Sequence, residues 1–347
     1  MNKWYLQNGP ESDVAVSTRV RFARNLSSFP FPVKMSPEQR REVVRLVSAA
    51  LLESDSPLRE GFRFLDMESL PPAEALSLAE HHIISPEFAK NRQGSGLLLT
   101  EDESVSIMIN EEDHIRLQVM RPGLALEEAF RLADGLDSLL NSRLSFCFDE
   151  KLGFLTQCPS NLGTGMRASL MLHLPALEVK DAIGPLGGTL SKIGLSIRGT
   201  YGEGSEALGS FYQVSNQITL GLSEQAVTAN LSSIAQQLFA QERSLRRGLA
   251  SGDRLADKAW RSLGILRTAR ILSSGEFMNL ISWVRLGVSM GILTETDLSA
   301  VNRLISECQS NSLILRAGQP LDAPGRDRFR AELVRGALAP AAGSIRE

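Results

Sequence analysis

Five arginines stand in short, extended or turn-like segments of this chain: Arg19 and Arg21 in STRVR (17–21), Arg116 in NEEDHIR (110–116), Arg167 in RASLM (167–171) and Arg198 in RGTYGEGSE (198–206). An arginine guanidinium forks onto phosphate or carboxylate through paired N–H groups. Arg19 and Arg21 are two apart, so an extended backbone turns both to one face, where two like charges call for an anion. A lone arginine usually lies on a solvated strand face. Several of them in the polar stripes of successive strands can instead converge on a triphosphate. Two further features carry chemistry. Asn110, Glu111, Glu112 and Asp113 bring three consecutive carboxylates to one turn, which in isolation is ordinarily a solvated turn. Cys158 opens CPSNLGT (158–164) ahead of a proline-containing turn, where a lone cysteine is ordinarily a small buried apolar group.

Other phosphate chemistries are excluded by pattern. No GxxxxGK[ST] occurs, so there is no P-loop. The run GEGSEA (202–207) fits a loose GxGxxA, but it carries two acidic residues and leads toward a strand rather than a helix, which argues against a dinucleotide site. Lys plus Arg number 37 against 40 Asp plus Glu, a net charge of −3. Nothing in that balance attracts nucleic acid or an anionic membrane in bulk, so an anion site must be local. The three cysteines (Cys147, Cys158, Cys308) are odd in number and lack CxxC spacing, giving neither a disulfide framework nor a zinc site. No metal ligands are assigned. The N-terminus has no apolar segment of the secretory kind, and no run approaches the roughly 18 apolar residues of a bilayer span. A cytoplasmic protein is expected. With 347 residues, 43% hydrophobic and 22% charged, the composition is that of a soluble globular chain of about two domains.

Hydrophobic period gives the elements that must position these residues. Residues 36–53 read as an amphipathic helix with Ser36 as N-cap, Pro37 in its first turn and Gln39 closing a capping box. Across 104–120 the period becomes two: Val105, Ile107 and Ile109, then Ile115, Leu117 and Val119 alternating with His114, Arg116 and Gln118. This predicts antiparallel strands joined through 110–113, one face on the core and the other carrying polar side chains toward an open surface. A hairpin is expected at 144–157, strands at 165–173, 194–200 and 211–222, and helices at 124–142 and 176–192. After Ser223 the strand signal stops, and 223–247, 254–273, 275–289 and 294–310 read as helices. Glycine and small residues interrupt the pattern near 246–252, placing a domain of 1–245 before an all-helical one of 246–347.

CPSNLGT resembles the CP[ST]NLGT signature around the reactive cysteine of the guanidino (phosphagen) kinases. STRVRFARNL with the following PFP, NEEDHIR, RASLM and RGTYGEGSE match that family's other active-site segments in order, five blocks over 17–206. The resemblance implies an α+β fold, an antiparallel sheet flanked by helices, and Mg²⁺-ATP-dependent phosphorylation of a guanidinium nitrogen. It implies ATP contacts at Ser17, Thr18, Arg19, Val20, Arg21, His82, Arg116, Arg167, Ala168, Ser169, Leu170, Met171, Arg198, Gly199, Thr200, Tyr201, Gly202 and Glu203, with adjacent His81 an alternative to His82. The residue types suit the chemistry. A guanidinium is protonated at physiological pH and nucleophilically poor, so a carboxylate must hold it and take a proton. Glu112 is the family-matched base, Glu203 the second carboxylate of the clamp, and Cys158 a thiolate beside the cation.

Only sixteen residues precede Ser17, where the small-molecule enzymes carry a helical domain, and Tyr201 stands where they commonly have another arginine. With the added C-terminal helices, this layout resembles the bacterial protein-arginine kinases. In RDRFRA, Arg326 and Arg330 are spaced i,i+4, mildly repulsive unless they share an anion. An ordinary charged helix face is the alternative. The run matches the RDxxRA phosphoarginine-binding allosteric motif, implying that Arg326, Asp327, Arg328, Phe329, Arg330 and Ala331 form that site. The branch further implies a homodimer and protein substrates with exposed or unfolded arginines. Its implied partners are a Clp-type unfoldase and protease, a transcriptional repressor and a zinc-binding activator, with no membrane and no direct nucleic-acid contact. The rival readings are a small-guanidine phosphagen kinase and a non-catalytic adaptor.

Overall fold

The computed structural model describes residues 3–199 and 207–339. Its strands are β1 (Ala15–Arg24), β2 (Phe62–Asp66), β3 (Gly96–Thr100), β4 (Val105–Ile109), β5 (Ile115–Pro122), β6 (Phe148–Asp149), β7 (Gly153–Phe154), β8 (Met166–His173), β9 (Leu195–Gly199) and β10 (Phe211–Asn216). Strands β6 and β7 form a small separate hairpin. The others make one sheet in the order β2-β3-β4-β5-β1-β8-β10-β9, each neighbouring pair antiparallel.

Helices α1 (Pro37–Leu52), α2 (Pro72–Glu80), α3 (Pro86–Lys90), α4 (Leu126–Arg143), α5 (Pro175–Val179), α6 (Ile183–Lys192) and α7 (Glu224–Leu249) accompany the sheet. Period-two alternation decides which face they cover. Val20 pairs with Val119 and Ala168, and Phe22 with Leu117 and Met166, so β-branched, aliphatic and aromatic side chains share one face. These residues join Leu170, Leu172 and Val214 in a core with α1, α4 and α7. Helix α1 starts at the expected capping box, with Ser36 and Gln39 bonding reciprocally.

The opposite face departs from the expected open surface at its β4 end. Every residue of β4 is buried, because the segment after α2 lies across it. Ser106 Oγ donates to Ile83 O (2.6 Å), and Gln118 Nε2 donates to His82 O (2.8 Å) and Ile83 O (2.9 Å). Met67, Leu78, Phe88, Leu97, Leu99 and Met108 form a second core there. The helix expected at 176–192 is two, α5 and α6, broken where Asp181 takes φ +52°. The strand expected at 211–222 stops at Asn216, whose Oδ1 accepts from Ala168 N and whose amide donates to Met166 O and Ile218 O.

Helices α8 (Asp253–Thr268), α9 (Ser274–Ser289), α10 (Leu298–Glu307), α11 (Ser310–Ala317) and α12 (Ala323–Ala337) follow. They bury a third core, including Leu263, Phe277, Ile281, Leu304 and Val334, that reaches Phe211 on β10. The Glu80 carboxylate caps the start of α11, accepting from Asn311 N (2.9 Å) and Ser312 N (3.0 Å). A buried node ties α7 to both regions. Glu242 (0% exposed) accepts from Ala176 N, Leu177 N and Arg246 Nε; Arg246 (2% exposed) donates to His173 O, Asp13 O and Ser289 Oγ. Desolvating such a pair is tolerable only when its lone pairs and protons are satisfied, as they are here. Glu242→Leu strands Arg246 without its counter-charge and is expected to destabilise the fold by about 3–5 kcal/mol. Chemical denaturation checks this; a loss within the ordinary range of surface substitutions would show that the pair does not hold α7 in place.

Candidate active site

The arginines occupy the polar face of the sheet, and register explains how. Arg21 lies opposite Gln118 on β5 and Arg167 on β8; Arg19 lies opposite Met120 and Ser169. Arg116 is opposite Ala23, and Arg198 is opposite Gln213. Alternation therefore puts all five on one side of β5, β1, β8 and β9. The intervening Thr18, Val20, Ala168 and Leu170 point the other way: the last three are core, and Thr18 Oγ1 donates to Gly123 O (2.7 Å). They build the strands rather than line the site. Ser17 and Met171 are paired at one end of the row, and Gly199 ends β9. Thr200, Tyr201, Gly202 and Glu203 lie outside the described residues.

Crowded cations shape the electrostatics. Burial, then Arg116 and Arg167, bring Arg19 down to about 10. Burial and the charges of Arg19, Arg116 and Arg167 take Arg21 well below its usual range. Arg19 donates to Ser169 Oγ and Gln213 Oε1, but among the described residues the buried Nε of Arg21 and of Arg167 finds no partner. Arg116 differs: burial opposes its charge, yet Glu111 outweighs this, accepting from Nη1 through both oxygens at 2.8 Å. A polyphosphate laid along the row would pair the orphaned N–H groups and reverse the mutual repulsion.

At the Arg21 end, the three neighbouring carboxylates have separate fates. Asn110 N donates to His114 O (3.0 Å) to close the turn, with Asn110 itself at φ +63°, a conformation asparagine tolerates. Glu111 is committed to Arg116 and to Ser85 Oγ (2.6 Å). Asp113 is buried, accepting from Asn25 Nδ2 (2.6 Å) and Gln157 N (2.8 Å). Only the Glu112 carboxylate makes no hydrogen bond among the described residues, and burial with Asp113 and Glu111 nearby raises its pKa. The same turn is pinned from behind. Asn25 Oδ1 accepts from His114 N (2.9 Å) while its Nδ2 also reaches Leu155 O (3.0 Å). His114 Nδ1 accepts from Leu26 N, which leaves the proton on Nε2, facing Pro30 O; burial brings this ring to about 4 and keeps it neutral.

Cys158 precedes a single turn, Pro159–Asn161, and its Sγ lies 3.1 Å from Ser160 Oγ. Thr219 Oγ1 donates to Ser160 O and Leu162 O, fixing that loop. Gly163, at φ +107°, lies so close to the Thr219 carbonyl that a Cβ would meet it at 2.3 Å. A cavity of about 160 Å³ is lined by Arg21, Glu112, Arg116, Cys158, Asn161 and Arg167. Beside it opens a cleft of about 1020 Å³, with Glu112 and Arg116 in both walls. At the other end of the row, His82 (φ +60°) is brought to about 4 by burial, Arg19 and His81. His81 lies against the Tyr5 ring and Ser312 Oγ.

The RDRFRA segment falls on α12, away from this row. Arg330 is 1% exposed and donates to Cys308 O, Leu272 O and Asp327 Oδ1. Arg326 is half-buried and donates to Leu321 O. Backbone carbonyls and Asp327 thus hold the Nε and Nη1 groups of Arg330. Asp327 spends its contact on that arginine, Arg328 is exposed, Phe329 half-buried and Ala331 in the core. The partners Asn25, Ser85 and Gln157 carry no signal in their local sequence, since each acts across a long sequence separation.

Residues 42–245 match the family model of the ATP:guanido phosphotransferase C-terminal catalytic domain, and 252–346 that of the protein-arginine kinase McsB C-terminal domain. A protein-arginine kinase of Geobacillus stearothermophilus is 44% identical over 96% of this chain and 93% of its own, and one of Halothermothrix orenii 42% identical over 96% of each. Among solved structures, lombricine kinase superposes with a TM-score of 0.60 at 26% identity, covering 69% of this chain and 68% of that one. The duplicated taurocyamine kinase from Schistosoma mansoni shares the fold, with a TM-score of 0.62 at 24% identity over 79% of this chain and 45% of that one. Catalytic sheet, arginine row and C-terminal helices are therefore those of one lineage: the chain belongs to the ATP:guanido phosphotransferase family and, within it, to the protein-arginine kinases.

Proposed function

We propose that this chain transfers the γ-phosphoryl group of ATP to a guanidinium nitrogen of arginine side chains in proteins. The observation that carries this reading is one strand face bearing unpaired buried guanidinium N–H groups that ends at a small cavity holding Glu112 and Cys158. The cavity is of side-chain size and adjoins a cleft with room for polypeptide. That opening favours an arginine presented on a protein over free arginine or creatine, and the presence of both a base and a phosphate clamp favours an enzyme over an adaptor.

In this mechanism Arg19, Arg21, Arg167 and Arg198 hold the phosphates, and Arg116, anchored by Glu111, completes the row. Glu112 receives the substrate guanidinium and takes a proton from the nitrogen as that nitrogen attacks phosphorus. The N–P bond forms, the bond from phosphorus to the bridging oxygen of ADP breaks, and ADP carries away the electron pair. The arginines stabilise the charge spread over the transferring group, which needs positioning more than covalent help. Cys158 lies beside the guanidinium and orients it; by the family resemblance Glu203 is the second carboxylate of the clamp. Among the described residues no group of three or more His, Cys, Asp or Glu could cage a metal; Mg²⁺, when bound through the phosphates, adds charge neutralisation.

The RDRFRA segment is proposed as a regulatory phosphoarginine site, with Arg330 its anchored base and Arg326 at its mouth. Clp-type proteolysis in a stress response, a repressor, a zinc-binding activator, a homodimer and a cytoplasmic setting complete the proposed context. They are supported by family alone. Among the described residues, no helix is long and apolar enough to cross a membrane.

Glu112→Gln is expected to lower kcat by roughly 100-fold or more, the scale of a positioned general base. A base works only when deprotonated, so the wild-type rate should fall as pH drops through the raised pKa of Glu112, and the variant should lose that acid limb. Stopped-time assays across pH decide this; near-normal turnover would remove Glu112 from the role. Substrate class is tested by incubating the chain with Mg²⁺-ATP and an unfolded protein, then mapping acid-labile phosphate by mass spectrometry. Phosphoarginine in the protein and negligible conversion of free arginine or creatine are expected. Efficient turnover of either small guanidine would instead mark a phosphagen kinase.

A further inference from the structure

Two acceptor oxygens of residues bordering the large cleft have no donor among the described residues. Asn110 Nδ2 donates to Arg40 O (2.9 Å) and Gly94 O (2.8 Å). Those two carbonyls fix the carboxamide in one orientation and leave its Oδ1 buried without a hydrogen-bond partner. Asn110 is 2% exposed. Gln157 repeats the pattern: its backbone N–H is spent on Asp113 Oδ1, and its buried Oε1 is also without a partner. Both residues border the cleft of about 1020 Å³ that holds Glu112. Native interiors leave few polar atoms unpaired. Two neutral acceptors beside one opening match a ligand that presents N–H donors.

Position narrows that ligand. Asn110 comes two residues before Glu112, and Gln157 is the neighbour of Cys158, so both carboxamides accompany the groups that line the small cavity. An extended arginine side chain sets its guanidinium roughly 6 Å from its own main chain. A guanidinium held at Glu112 and Cys158 therefore leaves the substrate's main chain in the cleft. The exposed charges around that cleft are of both signs, Arg41 and Lys90 with Glu68 and Glu87, and select no one neighbouring side chain. We propose that Asn110 Oδ1 and Gln157 Oε1 accept from main-chain N–H groups of the polypeptide at the phosphorylated arginine, its own N–H and that of the next residue. Such groups are free in an extended, unfolded segment and already paired within a helix or a central strand. In free arginine the second of them is replaced by a carboxylate, an acceptor facing an acceptor. The inference rests on the reading of Glu112 and Cys158 as the guanidinium site and adds how the peptide unit itself is recognised.

The test uses a capped alanine-rich peptide with one central arginine, in three forms: unmodified, N-methylated at the arginine nitrogen, and N-methylated at the following residue. Each is a substrate for the full wild-type chain and for Gln157→Met, which keeps the backbone N–H and the side-chain length but removes the acceptor. KM for peptide is measured or, for a slow peptide, the concentration that halves phosphorylation of an unfolded protein. In wild type, methylation is expected to raise that value about three- to tenfold, the scale of one lost hydrogen bond. Gln157→Met should raise it by a similar factor for the unmodified peptide and lose the response to methylation at one of the two positions, with KM for ATP at its wild-type value. The wild-type methylation series needs no variant and decides the matter should Gln157→Met not fold. A wild-type chain indifferent to methylation at both positions would overturn the proposal, as would a folded Gln157→Met chain that responds to both as wild type does. A chain that phosphorylates free arginine but neither peptide nor unfolded protein gives a separate result: the substrate is then not a polypeptide, and main-chain recognition falls with that reading.

Discussion

Guanidinium groups gathered on one face of one sheet repel one another, and the architecture follows from how the chain accommodates that. Two unit charges about 6 Å apart repel by roughly 2–3 kcal/mol in a partly wet environment, so the arginines around Arg21 destabilise one another's charge. The apolar face supports them: Val20, Phe22, Leu117, Ala168 and Leu170 alternate with the arginines along the same strands and lock the register into a core. A strand cannot slip by one residue to separate the charges without exposing that core. Arg116 receives a carboxylate of its own, that of Glu111. The buried Nε groups of Arg21 and Arg167 have no partner among the described residues, so donors are already in place for a ligand, which is the preorganisation phosphoryl transfer requires.

Preorganisation at the other reacting group comes from a neutral side chain. The amide of Asn25 accepts from the His114 backbone and donates to Asp113 and to Leu155 O. One buried residue thereby ties the turn bearing Glu112 to the segment leading to Cys158. Because a half-satisfied buried network is costlier than none, the turn is held in one conformation. Three like-charged neighbours in sequence can then serve three purposes: Glu111 neutralises an arginine, Asp113 locks the turn, and Glu112 is left at the cavity with its proton affinity raised by burial and by the other two.

The C-terminal helices are more than an appendage to the catalytic sheet. They meet it through Phe211, through the Glu80 cap on α11 and through Arg246, whose guanidinium spans the N-terminal segment, β8 and α9. These contacts bring α10 to the Ser17 end of the arginine row, while Arg330 on α12 grips the Cys308 carbonyl directly after α10. The segment carrying Arg330 is thereby joined to a helix that borders the arginine row.

Local pattern in the chain was enough to place the helix after Ser36, the hairpin around 110–113, the alternation that puts Arg19 and Arg21 on one face, and the motifs that mark the family. Those features depend on neighbours in sequence, or on a period of two or 3.6 that a single strand or helix expresses by itself. Helices α2 and α3, which cover β4, left no comparable trace, because both are short and their buried residues gain meaning only against the sheet beneath them. The choice of Glu112 among three adjacent carboxylates rested on family resemblance until Asn25, Ser85 and Gln157 closed around the other two. Arg330 likewise donates to the backbone carbonyls of Leu272 and Cys308, contacts that its local sequence does not announce. Charge, hydrogen bonding and burial of a side chain are set by groups that approach from distant parts of the chain, so the sequence by itself determined which chemistry was available, and tertiary packing decided which side chains are engaged and which stand open at the cavity.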